Sequence, residues 1–163
     1  MSLSVVRARL TGMTTWQDLV AAEPEFAERV RARFTDGKHC TLATLRSDGA
    51  PRISGTEVEF DGGELFLGSM AGAVKARDLL RDARLALHSP SVDPPDGDPG
   101  SWPGEAKIAG RAHEVSNPDR EDPSHRFRID ITEAVITHLD EAAERLVIES
   151  WHPDRGLERR TRD

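Results

Sequence analysis

The sequence predicts a mostly β (α+β) fold, a small antiparallel barrel of six to seven strands with N-terminal helices and one inserted helix. Apolar residues recur at helical spacing before residue 36, and short segments between residues 39 and 152 alternate apolar with polar residues. Turn residues separate these segments. A chain of 163 residues can bury one sizeable core, so residues 1–163 are expected to form a single domain.

The N-terminal helical segment is predicted over residues 1–36. Thr15 is a candidate N-cap, and Asp18 lies three residues further on, as in a capping box. Pro24 lacks a backbone donor, so we expect it to divide the segment and to lie in the first turn of a second helix. The apolar residues at near-helical spacing are Trp16, Leu19, Phe26, Val30 and Phe34.

The barrel itself is predicted over residues 39–152. Strands are expected at 39–46, 51–60, 64–67, 84–89, 105–115, 126–139 and 145–151, with a helix at 73–81 and an exposed loop at 90–103. A helix over 133–146 is an alternative on propensity alone. The β-branched residues Val135, Ile136 and Thr137 favour the strand.

Charge and cysteine content exclude several classes of function. The 22 Lys and Arg residues are outnumbered by 29 Asp and Glu, and a net charge of −7 argues against nucleic-acid binding. No apolar run has the length of a membrane span, and the N-terminus has no apolar core typical of a secretory signal. Cys40 is the only cysteine, which suits a reducing cytoplasm. The six histidines are scattered, so no metal site is predicted.

The stretch from Gly68 to Arg77 is the strongest functional signal. It follows a predicted strand, contains small residues and Ser69, and opens a predicted helix whose first turns carry Lys75 and Arg77. Free backbone N–H groups and the helix dipole favour an anion at such a helix start, and the two cations would add charge-assisted hydrogen bonds. We therefore predict a phosphate site; the alternative is a surface helix with solvated cations.

With this site on the fourth element of a small barrel, the chain resembles the pyridoxamine 5′-phosphate oxidase-like, FMN-binding split-barrel family. The resemblance extends from about Cys40 to Trp151. It rests on the order and spacing of several short motifs rather than on one of them. These are residues 41–52 (TLATLRSDGAPR), 60–63 (FDGG), 65–67 (LFL), 75–79 (KARDL), 86–88 (ALH) and 108–112 (IAGRA).

The resemblance implies a homodimer with FMN in a groove between two barrels. It implies that Ser69 and Lys75 contact the phosphate, with Arg77 as an additional cation. It also implies that the backbone and small side chains of Ile53, Ser54, Gly55 and Thr56 border the flavin ring, and that Arg52 reaches the ribityl chain or phosphate. An ordinary edge strand with a glycine bulge is the alternative for this segment.

Several positions depart from the family pattern. Where pyridoxamine phosphate oxidases have an arginine and a lysine in the second strand, this chain has Ile53 and Val58, and Val74 replaces the arginine before the phosphate lysine. Glu105 stands where a flavin-contacting glutamine is expected, and the C-terminal signature is absent. We therefore do not expect pyridoxamine phosphate to be the substrate. A related branch that binds the deazaflavin F420 is an alternative, as is a flavin- or haem-binding carrier or sensor without turnover.

No catalytic side chain is predicted, because in flavin chemistry the cofactor carries the reaction and the protein binds and orients. A small, planar organic molecule is the expected substrate. Four further residues are candidates for the groove or a lid over it, each with packing or a surface position as the alternative: His88, Trp102, Lys107 and Trp151.

Overall fold

The computed structural model describes residues 12–119 and 121–163, which form three α-helices, one 3₁₀ turn and nine β-strands. Residues 1–11 of the predicted helical segment lie outside the described residues. The elements are α1 (Trp16–Ala22), α2 (Pro24–Thr35), β1 (Cys40–Leu45), β2 (Pro51–Thr56), β3 (Val58–Asp61), β4 (Glu64–Ser69), α3 (Val74–Arg81), β5 (Arg84–His88), the 3₁₀ turn (Pro99–Ser101), β6 (Glu105–Val115), β7 (His125–Leu139), β8 (Leu146–His152) and β9 (Gly156–Arg162).

The two N-terminal helices begin where the sequence predicts. The Asp18 N–H donates to Thr15 Oγ1 at 3.2 Å, and the Thr15 N–H donates to Asp18 Oδ2 at 2.9 Å, so the capping box is formed. Pro24 is the first residue of α2. All five apolar residues predicted at helical spacing are buried against the barrel: Trp16, Leu19, Phe26, Val30 and Phe34.

The strands pair antiparallel in the order β2-β1-β5-β6-β7-β4-β3, with β8 pairing β7 and β9 pairing β8. The two ends of this path, β2 and β3, are consecutive in the chain and are separated only by Glu57. One extended segment therefore pairs with β1 through its first half and with β4 through its second half. This connection gives the sheet the form of a split barrel, which confirms the predicted fold class.

The strand count is higher than the predicted six to seven. The segment predicted as one strand over 51–60 is two strands, because the chain changes its partner from β1 to β4 at Glu57. The basic C-terminal segment, which lies beyond the barrel predicted over 39–152, forms β9 along the outer edge of β8. The strand predicted over 126–139 is β7, which excludes the helical alternative.

The core lies inside the barrel and under α1 and α2. It includes Leu42 of β1, Leu65 and Leu67 of β4, Ile108 of β6 and Phe127 of β7, each almost fully buried. Among the described residues, no helix combines the length and the apolar character that a membrane crossing requires.

A close backbone approach occurs where β6 and β7 change register. The register shifts between Ala109 and Gly110. A Cβ at Gly110 would overlap the carbonyl oxygen of Asp130 and come within 3.0 Å of Ile129 Cγ2. Glycine is therefore required at this bulge.

We expect Gly110→Ala to lower the free energy of unfolding by about 2–4 kcal/mol, because the added methyl must push β7 away. Gly55→Ala is the matched control: an added Cβ there meets no atom within 4 Å. Urea unfolding of both variants measures the difference. Equal losses of stability would contradict the close approach at Gly110.

Candidate functional site

The start of α3 presents uncapped backbone donors. β4 ends at Ser69, the chain turns through Gly72 with a φ of 71°, and α3 begins at Val74. The N-cap residue Ala73 makes no side-chain capping bond, and the first turn contains no acidic residue. The first N–H groups of a helix have no partner within it, so this end of α3 favours an anion.

A groove of about 480 Å³ lies between this helix start and β2. It brings together four of the predicted binding residues, which come from three separate elements: Gly55, Thr56, Ser69 and Lys75. Its other lining residues are His39, Glu57, Gly68, Met70 and Ser124.

Two side chains in the groove have the chemistry for a phosphate. Ser69 is 6% exposed, and its Oγ has no hydrogen-bond partner in the part of the chain that the structure describes. A buried hydroxyl normally has a partner, so the unused hydrogen-bonding capacity of Ser69 is consistent with a ligand in the groove that this residue lines. Lys75 Nζ donates to the carbonyl oxygen of Gly55 at 2.6 Å and places a positive charge beside β2. An unpaired hydroxyl, an ammonium group and a helix start together fit the phosphate of FMN.

Behind the groove, the carboxylate of Asp78 joins three elements. Asp78 is 1% exposed. Its Oδ2 accepts hydrogen bonds from Arg52 Nε of β2 at 2.6 Å and from Thr44 Oγ1 of β1 at 2.8 Å, and its Oδ1 accepts one from Arg81 Nη2 at 2.9 Å. We call these four residues the Asp78 network.

The Asp78 network keeps its carboxylate charged. Burial alone would raise the pKa of Asp78, but the hydrogen bonds from Arg52, Arg81 and Thr44 outweigh it and lower the pKa to about 2. The junction of α3 with β1 and β2 therefore holds a fixed ionic cluster rather than a proton donor.

The other predicted β2 residues face two sides of the strand. Arg52 points inward and uses Nε for Asp78. Ser54 is half-buried, opposite Leu42 of β1. Ile53 is 76% exposed on the outer face. Arg77, predicted as a second phosphate cation, is exposed and donates to the Gly72 carbonyl oxygen at 3.3 Å.

The four candidate lid residues lie outside the groove lining. His88 and Lys107 form a cluster with Glu105, with nitrogen–oxygen distances of 3.1 and 3.3 Å. Trp102 donates its indole N–H to the Val92 carbonyl oxygen at 2.6 Å. Trp151 is 4% exposed and belongs to the core, so it does not line the groove.

Sequence reasoning did not select His39, Glu57 or Ser124 for the groove. Glu57, where the chain changes its partner from β1 to β4, lines the groove together with His39. The pairing of Ser69 with His125 brings Ser124 beside the groove. None of the three residues belongs to a local sequence motif, because long-range strand pairing brings them to the groove. Cys40 is buried, and burial, assisted by Glu57, raises the pKa of its thiol, which suits a structural role.

A family model described as pyridoxamine 5′-phosphate oxidase matches residues 26–154, most of the chain. The chain belongs to the pyridoxamine 5′-phosphate oxidase family. This match confirms the resemblance inferred from the motifs and includes the whole groove. A comparison with curated proteins finds no significant match.

Solved structures with the same fold show low identity to this family member. PhzG from Burkholderia lata, in complex with tetrahydrophenazine-1-carboxylic acid, is 11% identical over 89% of this chain and 91% of that one, with a TM-score of 0.61. A pyridoxamine 5′-phosphate oxidase-related, FMN binding protein from Nostoc punctiforme is 12% identical over 100% of both chains, with a TM-score of 0.57. A conserved hypothetical protein from Mycobacterium tuberculosis is 20% identical over 69% and 81%, with a TM-score of 0.51. These similarities show the fold.

We expect Asp78→Asn to lower the free energy of unfolding by about 3 kcal/mol at neutral pH, because it removes the charged partner of two arginines. Since folding lowers the pKa of Asp78 from 3.8 to about 2, its stabilisation is complete above pH 4 or so and is lost as the pH falls toward about 2. The gap between wild type and variant in urea unfolding must therefore close over that interval.

Asp82→Asn is the control for this prediction. The pKa of Asp82 is also lowered to about 2, mainly by hydrogen bonds from Arg84, but this ion pair lies at the surface. Its removal is expected to change stability little at any pH. A gap for Asp78→Asn that persists unchanged at pH 2 would contradict the charged network.

Proposed function

We propose that this chain is a cytoplasmic, homodimeric, FMN-binding oxidoreductase. The observation that carries the proposal is that the buried hydroxyl of Ser69, unpaired among the described residues, lies in the same groove as Lys75, next to the uncapped start of α3. These three features converge on one groove and match the donors that a phosphate monoester requires.

In this proposal, Ser69, Lys75 and the first N–H groups of α3 hold the phosphate, and Gly55 and Thr56 of β2 border the ring. The bond from Lys75 to the Gly55 carbonyl is exchanged for one to the phosphate. When bound, FMN supplies hydride or electron transfer. The protein binds and orients the cofactor and leaves one side of the flavin ring open to a small planar substrate.

The substrate is proposed to differ from pyridoxamine phosphate. The side chain of Ile53 is apolar and 76% exposed, and Val58 is half-buried against the core. Neither side chain can provide the positive charge that a phosphorylated substrate needs. At these two positions the chain therefore suits an organic substrate without a phosphate better than a phosphorylated one.

The surface beyond the phosphate site favours FMN over F420. The groove shares Gly68 and Ser124 with a second depression of about 310 Å³. Its cation, Arg126, lies 3.2 Å from Glu59 and 3.9 Å from Asp61. A polyglutamate tail extending from the phosphate would meet two carboxylates and a neutralised arginine, which disfavours it.

The outer face of the sheet supports the proposed homodimer. Ile53, Ala43, Ala86 and Ala109 lie in one cross-strand row over β2, β1, β5 and β6. Ile53 and Ala86 are exposed, and the other two are half-buried. This flat row of small apolar side chains adjoins the strand that borders the groove, so a second copy of the chain covering it would also wall the cofactor site.

We expect Lys75→Ala to weaken FMN binding by about 1.5–3 kcal/mol, because it removes a charge-assisted bond to the phosphate. Arg145→Ala removes a cation paired with Asp163, outside the groove, and is the matched control. Isothermal titration with FMN gives both affinities. An unchanged affinity in Lys75→Ala would remove this lysine from the site.

The visible absorption spectrum of the purified protein separates the cofactor classes, because FMN, F420 and haem absorb in different bands. The proposal predicts a flavin spectrum, bleached by NAD(P)H or another reductant and restored by an acceptor. A haem or deazaflavin spectrum would contradict FMN as the cofactor. Bound flavin that no reductant and acceptor pair turns over would indicate a carrier instead of an enzyme.

We expect Ile53→Asp to convert the dimer to monomers, because a carboxylate in the apolar row must be desolvated on association. Val92→Asp is the control, since Val92 is an exposed apolar residue of the 90–103 loop. Sedimentation equilibrium measures both. A monomeric wild type, or a dimer that survives Ile53→Asp, would contradict this interface.

A further inference from the structure

We propose that Asp78 is the positioning residue of the groove: its carboxylate joins β2 to α3 and thereby fixes the separation between the Gly55 carbonyl and Lys75. The inference rests on the proposed function, since it names the residue that maintains that site. Asp78 is more than nine-tenths buried and has no place in the groove lining. Its effect on a ligand must therefore pass through its hydrogen-bond partners.

Two bridges connect β2 with α3. Arg52 Nε bonds to Asp78 at 2.6 Å, and Lys75 Nζ bonds to the Gly55 carbonyl at 2.6 Å. Arg52 and Gly55 are three residues apart on β2, and Lys75 and Asp78 are three residues apart on α3. Each bridge therefore uses one residue from each element, and they follow each other along the same junction.

The two bridges differ in how easily they are replaced. Lys75 is half-buried and its partner is a single carbonyl on an exposed glycine, so an anion can take over its ammonium group. The Asp78 carboxylate has three donors and is shielded from water, which strengthens its hydrogen bonds. Once Lys75 turns to a ligand, the Asp78 network still holds β2 against α3.

The remaining donors of the Asp78 network anchor it to β1. Thr44 binds the same carboxylate oxygen as Arg52, and Arg81 also donates to the Leu45 carbonyl oxygen at 2.7 Å. Asp78 and Arg81, in the second half of this eight-residue helix, thus fix α3 to two adjacent strands. Arg52 serves the groove through Asp78 and not, as the sequence predicted, through its own contact with the cofactor.

A double-mutant cycle on FMN affinity tests the inference with Asp78→Asn, Arg52→Met and the double variant. We expect each single change to weaken binding by about tenfold or more, because a displaced helix start misplaces the donors. The double variant should bind FMN no more weakly than the single variant with the lower affinity, since both changes break the same bridge between β2 and α3. If Arg52 instead contacts FMN directly, Asp78→Asn frees it, and an affinity that is kept or increased overturns the inference.

Three controls keep the result attributable to position. Leu19→Ala removes core packing in α1, and it should lose stability but keep its FMN affinity. Hydrogen exchange of the ligand-free protein should show faster exchange in α3 of Asp78→Asn, with exchange in α2 unchanged. Unchanged exchange in α3 would contradict the inference without any cofactor.

If Asp78→Asn fails to fold, Thr44→Val tests the same carboxylate, and full FMN affinity in that variant would count against the inference. A wild-type protein that does not bind FMN would refute the proposed function. The exchange data need no cofactor, so they test the positioning role of Asp78 separately.

Discussion

The crossing of α3 over β1 and β2 is the constraint on which the rest of the site depends. Besides the buried Ala76 and Leu79, the Asp78 carboxylate holds the helix in place through three donors, which come from β1, β2 and α3 itself. A buried charge is stable only when its hydrogen bonds are complete, so this network tolerates a single arrangement of helix and strands. That arrangement places the open helix start, Ser69 and Lys75 around the same groove.

The groove contains polar groups that the fold leaves without hydrogen-bond partners among the described residues. The barrel satisfies its strand donors through the ladders, but the start of α3 makes no side-chain cap, and Ser69 Oγ has no partner among the described residues. A buried hydroxyl without a partner is costly, and the first N–H groups of a helix have no partner within it. In the proposed function these donors and Lys75 bind the phosphate, so the stability of this region and the affinity for FMN share the same donors.

Local patterns made much of this predictable. The capping box at Thr15, the helical spacing of Trp16 to Phe34 and the motif around Lys75 each depend on residues close in the chain, and each identified its element. Arg52 lies on a predicted strand, but its bond to Asp78 joins residues 26 positions apart, and no local motif indicates it. The change of strand partner at Glu57 and the pairing of β9 also depend on tertiary neighbours, which periodicity does not encode.

Recognition of the FMN phosphate by the groove is tested most directly by comparing FMN with riboflavin, which has the same ring and ribityl chain but no phosphate. Equilibrium titration of the cofactor-free protein at low and moderate salt gives both dissociation constants. We expect FMN to bind at least about tenfold more tightly, with the difference shrinking as salt increases. Equal affinities, or no binding of FMN, would contradict this recognition.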